Sequence, residues 1–202
     1  MKIAVVGTGY VGLVSGTCFA ETGHEVTCID IDKNKIDSLN NGKLTIYEPG
    51  LQTIFDRGRK AGRLSFTTSL SEGISGCQVI FLALPTPPGE DGSADLKYVL
   101  GVADHIGKLI KDYKVIVNKS TVPVGTGEKV YNAIRANTEV DFDVVSNPEF
   151  LREGAAVEDF MKPDRVVIGS ASQQAEDKMK KLYEPFVRQG NPIFCWTSAP
   201  LS

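Results

Sequence analysis

The sequence predicts a doubly wound α/β fold, an open and mostly parallel sheet with helices on both faces. Three observations lead there. Short apolar runs alternate along the chain with stretches whose apolar residues recur at helical spacing. Several of those runs, such as Val79-Ile80-Phe81-Leu82-Ala83-Leu84, are continuously hydrophobic, as strands covered on both faces are. The runs then break into loops rich in Gly and Pro, at the carboxyl ends where such sheets bind ligands.

The first unit is the most informative. Ile3 to Val6 is an apolar run that breaks into Gly7-Thr8-Gly9-Tyr10-Val11-Gly12, which opens a small-residue helix ending near Gly23. A second run, Val26 to Ile29, stops at Asp30, 18 residues after Gly12. Strand, glycine turn, helix and strand ending in a carboxylate form the dinucleotide-binding fingerprint of a Rossmann-like fold. Gly7 permits the tight turn, Gly9 lets backbone N–H groups reach a pyrophosphate, and Gly12 lets the helix pack close to the strand. The N-terminus of the helix supplies partial positive charge to the phosphates. Asp30 is placed to accept the adenosine ribose hydroxyls and would repel a 2′-phosphate, so the expected cofactor is NAD rather than NADP.

The remaining elements follow in order. Lys33 to Asn40 carries Ile36 and Leu39 at helical spacing and is closed by Asn41-Gly42. On that helix Lys35 either reaches the adenosine end of a cofactor or is an exposed cation; spacing alone leaves both open. Pro49 suits the first turn of a helix running through Phe55 to about Arg59, and the alternation of Leu64 to Thr67 reads as a third strand. A short helix at Leu70 to Ile74 precedes the fourth strand, Gln78 to Leu84, which Pro85-Thr86-Pro87-Pro88 terminates. Leu96 to Ile110 is helical, Val115 to Val117 the fifth strand, Thr126 to about Asn137 a helix and Asp143 to Ser146 the sixth strand. Arg165 to Ile168, Ala171 to Val187 and Ile193 to Trp196 complete the pattern as strand, helix and strand. The connections read as βαβ throughout.

Composition narrows the classes of function. With 202 residues, 42% hydrophobic and 23% charged, the chain is an ordinary globular one, long enough for a substantial core. A net charge of −3 with both signs dispersed argues against nucleic acid or a membrane surface as partner. The first strand begins directly after Met1-Lys2, and no apolar run approaches the roughly 18 residues of a membrane span, so a cytoplasmic location is expected. Cys18, Cys28, Cys77 and Cys195 lack metal-ligand spacing and are expected to be reduced, buried fillers; His24 and His105 have no second ligand spaced near them.

The loops after the first, fourth, fifth and sixth strands should form one crevice, and four residues in it could do chemistry: Lys119, Thr121, Glu149 and Glu153. The Thr121 hydroxyl could orient a water or a cofactor amide. Glu149 and Glu153 stand four apart at an expected helix start, which would put both carboxylates on one face and suit one of them to acid–base work. On composition alone the same residues read more readily as a helix cap with solvated charges.

The blocks GTGYVGL from Gly7, Ile46-Tyr47-Glu48-Pro49-Gly50-Leu51, Lys119-Ser120-Thr121-Val122-Pro123, Ser146-Asn147-Pro148-Glu149-Phe150-Leu151-Arg152-Glu153-Gly154 and Pro163-Asp164-Arg165-Val166-Val167-Ile168-Gly169 together carry a resemblance. In content and order they resemble the UDP-glucose 6-dehydrogenases and their nucleotide-sugar dehydrogenase relatives, over almost the whole chain. The resemblance implies NAD-dependent, four-electron oxidation of the C6 hydroxyl of a UDP-sugar to a carboxylate, through an aldehyde and an enzyme thioester. It implies that Thr121 orients a water and that Glu149 does acid–base work around thioester hydrolysis. Phe150 and Leu151, with Glu149, would contact the sugar, and Glu153 would lie near the nicotinamide. Asp30 and Lys35 would contact the adenosine ribose, Thr86 and Ser120 would line the cofactor, and Gly7, Gly9, Tyr10, Val11 and Gly12 would form the phosphate cradle. The partner it implies is UDP-glucose or a similar nucleotide sugar, and the complete enzyme a homo-oligomer. GDP-mannose or another nucleotide sugar is the alternative substrate, and a non-catalytic NAD-binding module the alternative class.

The chain departs from that pattern in two ways. None of its cysteines lies in the Gly-Cys-Phe/Leu-Pro type of context of the family's nucleophile, and Pro200 stands where a glutamate is usual near the approach to a central helix. The expectation is a single NAD-binding domain over residues 1–202, the N-terminal part of a longer dehydrogenase and unable to complete turnover alone.

Overall fold

The computed structural model describes residues 1–120 and 122–197. Eight strands, β1 (Lys2–Val6), β2 (Glu25–Ile29), β3 (Leu64–Thr67), β4 (Val79–Leu82), β5 (Lys114–Asn118), β6 (Phe142–Ser146), β7 (Val166–Ser170) and β8 (Ile193–Thr197), form one sheet in the order β3-β2-β1-β4-β5-β6-β7-β8. The helices between them are α1 (Tyr10–Glu21), α2 (Lys33–Asn40), α3 (Leu51–Lys60), α4 (Leu70–Ile74), α5 (Lys97–Leu109), α6 (Thr126–Arg135), α7 (Ala156–Met161) and α8 (Gln173–Tyr183).

Period-two alternation splits the central strands between two cores. Ile3, Val5, Val79, Phe81, Val115 and Val117 point to the face covered by α1, α2, α3, α7 and α8. Ala4, Val6, Ile80, Leu82 and Ile116 point to the face covered by α4, α5 and α6. On the first face Phe19 of α1 sits among Phe81, Phe160, Tyr183 and Phe186, with ring centroids 5.0 to 5.8 Å away. This aromatic nest ties α1, which opens the cofactor loop, to α7 and α8.

The structure corrects the sequence reading in several places. The sheet is parallel only from β3 to β6; β7 runs antiparallel to β6, paired through Ser146 and Gly169, and β8 is parallel to β7. The connection from β6 to β7 holds only a short helix, α7, which begins at Ala156 rather than near Glu149; its six residues rise about 9 Å, about half of the roughly 17 Å spanned by a five-residue strand, so it does not by itself carry the chain back along the sheet as a crossover helix would. Helix α3 starts at Leu51 rather than at Pro49, because Gly50 at φ 81° is its N-cap. Helix α8 stops at Tyr183 and passes into a single 3-10 turn at Glu184–Phe186, where Pro185 cannot continue an α-helix.

Cys18, Cys28 and Cys77 are buried fillers as expected, and burial pushes their thiols up, Cys28 to about 12 and Cys77 to about 11. Cys195, on the edge strand β8, is only partly buried. Iodoacetamide is therefore expected to label the native chain at Cys195 first, which peptide mass mapping would read. His105 is exposed, and His24 is half-buried.

Candidate functional site

The carboxyl ends of β2, β1, β4, β5 and β6 lie side by side, so the sheet itself lines up the loops that carry the candidate residues. At β1, Gly7 turns with φ 103°, and a Cβ on it would sit 2.2 Å from the carbonyl oxygen of Ala83. At Gly12 a Cβ would sit 1.9 Å from the carbonyl oxygen of Gly7. Gly9 is different: it is the exposed N-cap of α1, with no side-chain cap, and a Cβ there would meet nothing within 4 Å. The protein thus leaves open space against the free N–H groups of a 12-residue helix, which is the shape and polarity a pyrophosphate requires.

Asp30 stands beside this cradle. Its Oδ2 accepts from the backbone N–H (2.9 Å) and the hydroxyl (2.7 Å) of Thr8, and its Oδ1 accepts from the N–H of Asp32 (3.0 Å). Burial works to raise its carboxyl, but these bonds and the nearby Lys35 ammonium outweigh that and hold it below the usual carboxylate range. Lys35 therefore stands close enough to Asp30 to act on its charge. Thr86 is half-buried in the loop after β4, and Ser120 after β5 donates its hydroxyl to the carbonyl of Leu84 (2.9 Å), tying those two loops together. Thr121 lies outside the described residues.

Beyond β6, the segment Asn147 to Arg152 lines a cleft of about 440 Å3 with Lys119, Asp159, Phe160, Arg165 and Tyr183. Glu149 and Glu153 do not share a helix face. Residues 149–153 are not helical; the Oε2 of Glu149 accepts the N–H of Leu151 (3.2 Å), a local bond that competes with a helical turn, and Gly154 at φ 88° turns the chain before α7 begins. Glu149 is half-buried in the cleft wall and Glu153 is exposed near the Tyr10 phenol, whose pKa its charge helps to raise. Phe150 is exposed with the Arg165 guanidinium 5.2 Å above its ring, and Leu151 is half-buried.

Lys119 is a candidate from the sequence and Glu48 lies in one of the blocks that carry the resemblance, but the surroundings of neither are legible there. Lys119 is buried beneath the cleft with 3% exposure. Its Nζ donates to the Oδ1 of Asn147 (3.3 Å) and to the Tyr183 hydroxyl (3.2 Å), which itself donates to Asn147 Oδ1 at 2.5 Å. The ammonium also lies 5.4 Å and 5.8 Å from the ring centroids of Phe160 and Tyr183. Burial lowers it to about 8, although the Glu149 carboxylate favours its charged form. Glu48 is a buried carboxylate that accepts from Tyr10, Gly154 and Ala156. The block around Glu48 was conspicuous in the sequence, but its partners lie 38 to 108 residues away and nothing local announces them.

Residues 1–187 match the model of the UDP-glucose/GDP-mannose dehydrogenase family, NAD binding domain. The chain is 50% identical over 193 residues to a UDP-glucose 6-dehydrogenase of Pseudomonas aeruginosa, covering 93% of this chain and 43% of that protein. It is 52% identical over 187 residues to the UDP-glucose 6-dehydrogenase TuaD of Bacillus subtilis, covering 92% of this chain and 41% of that one. Among solved structures it superposes with a TM-score of 0.92 and 41% identity on a UDP-glucose dehydrogenase from Pyrobaculum islandicum, covering 97% of this chain and 46% of that one. On a GDP-mannose dehydrogenase from Pseudomonas aeruginosa the TM-score is 0.88 at 36% identity, covering 98% of this chain and 46% of that one. The chain thus spans about two fifths of the length of the curated relatives it matches.

Proposed function

The chain belongs to the UDP-glucose/GDP-mannose dehydrogenase family and carries its NAD binding domain, and from that premise we propose that it is the cofactor-holding part of a UDP-glucose 6-dehydrogenase. The observation that carries the reading is the cradle of Gly7, Gly9, Tyr10, Val11 and Gly12, open at Gly9 and flanked by an Asp30 held ionised, within one row of loops that ends at the cleft of Glu149, Phe150 and Leu151. When bound, NAD supplies the hydride acceptor for oxidation of the C6 hydroxyl toward a carboxylate.

The chain's own residues bind and orient. The α1 N-terminus faces the pyrophosphate, Asp30 and Lys35 take the adenosine ribose, and the loops bearing Thr86 and Ser120 line the dinucleotide. Glu153 stands on the cofactor side, while Glu149, Phe150 and Leu151 hold the sugar, Glu149 exchanging a proton and Thr121 orienting a water. UDP-glucose is preferred over GDP-mannose because the UDP-glucose enzymes above stand at 41 to 52% identity and the GDP-mannose enzyme at 36%. Residues 1–202 are read as one NAD-binding domain of a homo-oligomeric enzyme. A cytoplasmic setting is part of the same reading; among the described residues no helix is long and apolar enough to cross a membrane.

Calorimetric titration of the 202-residue chain is expected to show saturable NAD binding and far weaker NADP binding. Asp30→Ala should weaken NAD by about tenfold or more, since it removes charged hydrogen bonds worth about 1.5–3 kcal/mol each. Equal affinity for both dinucleotides, or an Asp30→Ala chain that binds NAD as well as the wild type, would overturn the assignment. For the substrate, the complete enzyme containing this domain should reduce NAD with UDP-glucose. Reduction with GDP-mannose alone would sink that choice.

A further inference from the structure

Glu48 is 4% exposed, yet its carboxylate is fully engaged by groups from two distant parts of the crevice. Its Oε2 accepts the Tyr10 hydroxyl at 2.5 Å and the Gly154 N–H at 3.1 Å; its Oε1 accepts the Ala156 N–H at 2.8 Å. Tyr10 is the first residue of α1, inside the phosphate cradle. Gly154 and Ala156 follow Glu153 at the end of the loop that begins with Glu149, and the Tyr10 hydroxyl also approaches the Arg152 carbonyl at 3.5 Å. A carboxylate buried without partners would be expelled or neutralised. Here burial works to raise the Glu48 carboxyl, but the bonds from Tyr10, Ala156 and Gly154 outweigh it and hold it below the usual range. Burial and the same carboxylate push the Tyr10 phenol up, so the proton stays on Tyr10 and the pair remains donor and acceptor.

We propose that Glu48 and Tyr10 are positioning residues that couple the cofactor cradle to the 149–156 segment, so that a dinucleotide bound at the N-terminus of α1 steadies the loop that holds the sugar. The proposal rests on the cofactor reading above. Each link is a direct hydrogen bond, and the Glu48 side chain alone stands between the Tyr10 hydroxyl and the Gly154 amide. Whatever restrains the first turn of α1 therefore restrains Tyr10, and through Glu48 the backbone that carries Glu153. A role in stability alone would also use these bonds, but it would not make the loop respond to NAD.

Amide hydrogen exchange at Gly154 and Ala156, followed by NMR with and without saturating NAD while calorimetry reports the affinity, separates the two roles. In the wild-type chain NAD is expected to slow exchange at both amides by about fivefold or more, the lower end of typical site-to-site coupling. Tyr10→Phe keeps Glu48 and its two amide bonds, so exchange without NAD should change little. NAD should then slow it by less than about twofold, with a few-fold loss of affinity as the reciprocal effect. Should Tyr10→Phe fold poorly, Glu48→Gln replaces it: its NH2 cannot accept, so exchange without NAD rises at one amide, and the readout is the ratio of exchange without to with NAD at the other, expected to stay below about twofold. NAD that binds the wild type without altering either amide, or protects both amides equally in wild type and variant, would overturn the coupling while leaving the cofactor reading intact. No NAD binding by the wild type would overturn both.

Discussion

Gly12→Ala is expected to lower the stability of the domain by about 3 kcal/mol or more and to abolish NAD binding, whereas Gly9→Ala should fold with stability within about 0.5 kcal/mol of wild type and lose only the cofactor. The two glycines sit three residues apart in one motif but face opposite constraints. A methyl on Gly12 would be driven to 1.9 Å from the Gly7 carbonyl oxygen and 3.2 Å from the Ala83 Cβ, so the turn and the start of α1 would have to move apart. Neither neighbour is the loose end of a flexible side chain. A methyl on Gly9 meets no protein atom within 4 Å, and its φ of −71° suits alanine, so what it would displace is the phosphate. Denaturant melts paired with NAD titrations of both variants are the measurement. A stable Gly12→Ala that binds NAD, or a Gly9→Ala that binds as tightly as wild type, would contradict the account of the cradle.

Lys119→Met is expected to stabilise the domain by about 2 kcal/mol at pH 7. The sign follows from linkage. Burial lowers the Lys119 ammonium from 10.5 to about 8, so in that interval the unfolded chain binds more protons than the folded one and stability rises with pH. Below about pH 8 both states are protonated and the destabilisation is present in full, about 3 kcal/mol at 1.4 kcal/mol per pH unit, part of which the hydrogen bonds and the two facing rings offset. Methionine fills much of the same volume without the charge, and Asn147 keeps the Tyr183 hydroxyl as donor. The wild-type-minus-variant stability difference, taken from urea melts at pH 7, 8, 9 and 10, should shrink toward high pH. A flat difference, or a variant less stable at pH 7, would show that the ammonium is well solvated or compensated where it sits.

What could be read from the chain was what local spacing encodes. Gly7, Gly9, Gly12 and Asp30 act through a turn, a helix start and a strand end within about 25 residues, so their pattern survives in one dimension. The strands and most helices were legible for the same reason, their apolar period being set by the face each buries. The conformation of residues 149–153 was not, because it is governed by the Glu149 carboxylate folding back on its own loop and by Glu48, which precedes Gly154 by 106 residues. Tyr183 reads as one more apolar helix position; only the packing of α8 against the sheet brings its hydroxyl to Lys119, 64 residues earlier. The reversal of β7 shows in the pairing of Ser146 with Gly169, a matter of strand direction that hydrophobic pattern does not record.

That reversal has a consequence for how the domain comes apart. Where β6 meets β7 the ladder is reduced to the pairing of Ser146 with Gly169, while every other junction in the sheet is a run of four or five registered pairs. The side chains of Asn147, which donates to the Val167 carbonyl at 2.8 Å, and of Lys119 and Tyr183 bridge the gap. The sheet is therefore thinnest in backbone bonds at this junction, and β7, α8 and β8 are held to β1 to β6 by side-chain packing that includes Phe19 of α1 against Tyr183 and Phe186. Opening the domain there would strip Tyr183 both from that packing and from Lys119 and admit water to the ammonium, so the same separation that costs aromatic contacts relieves a buried charge.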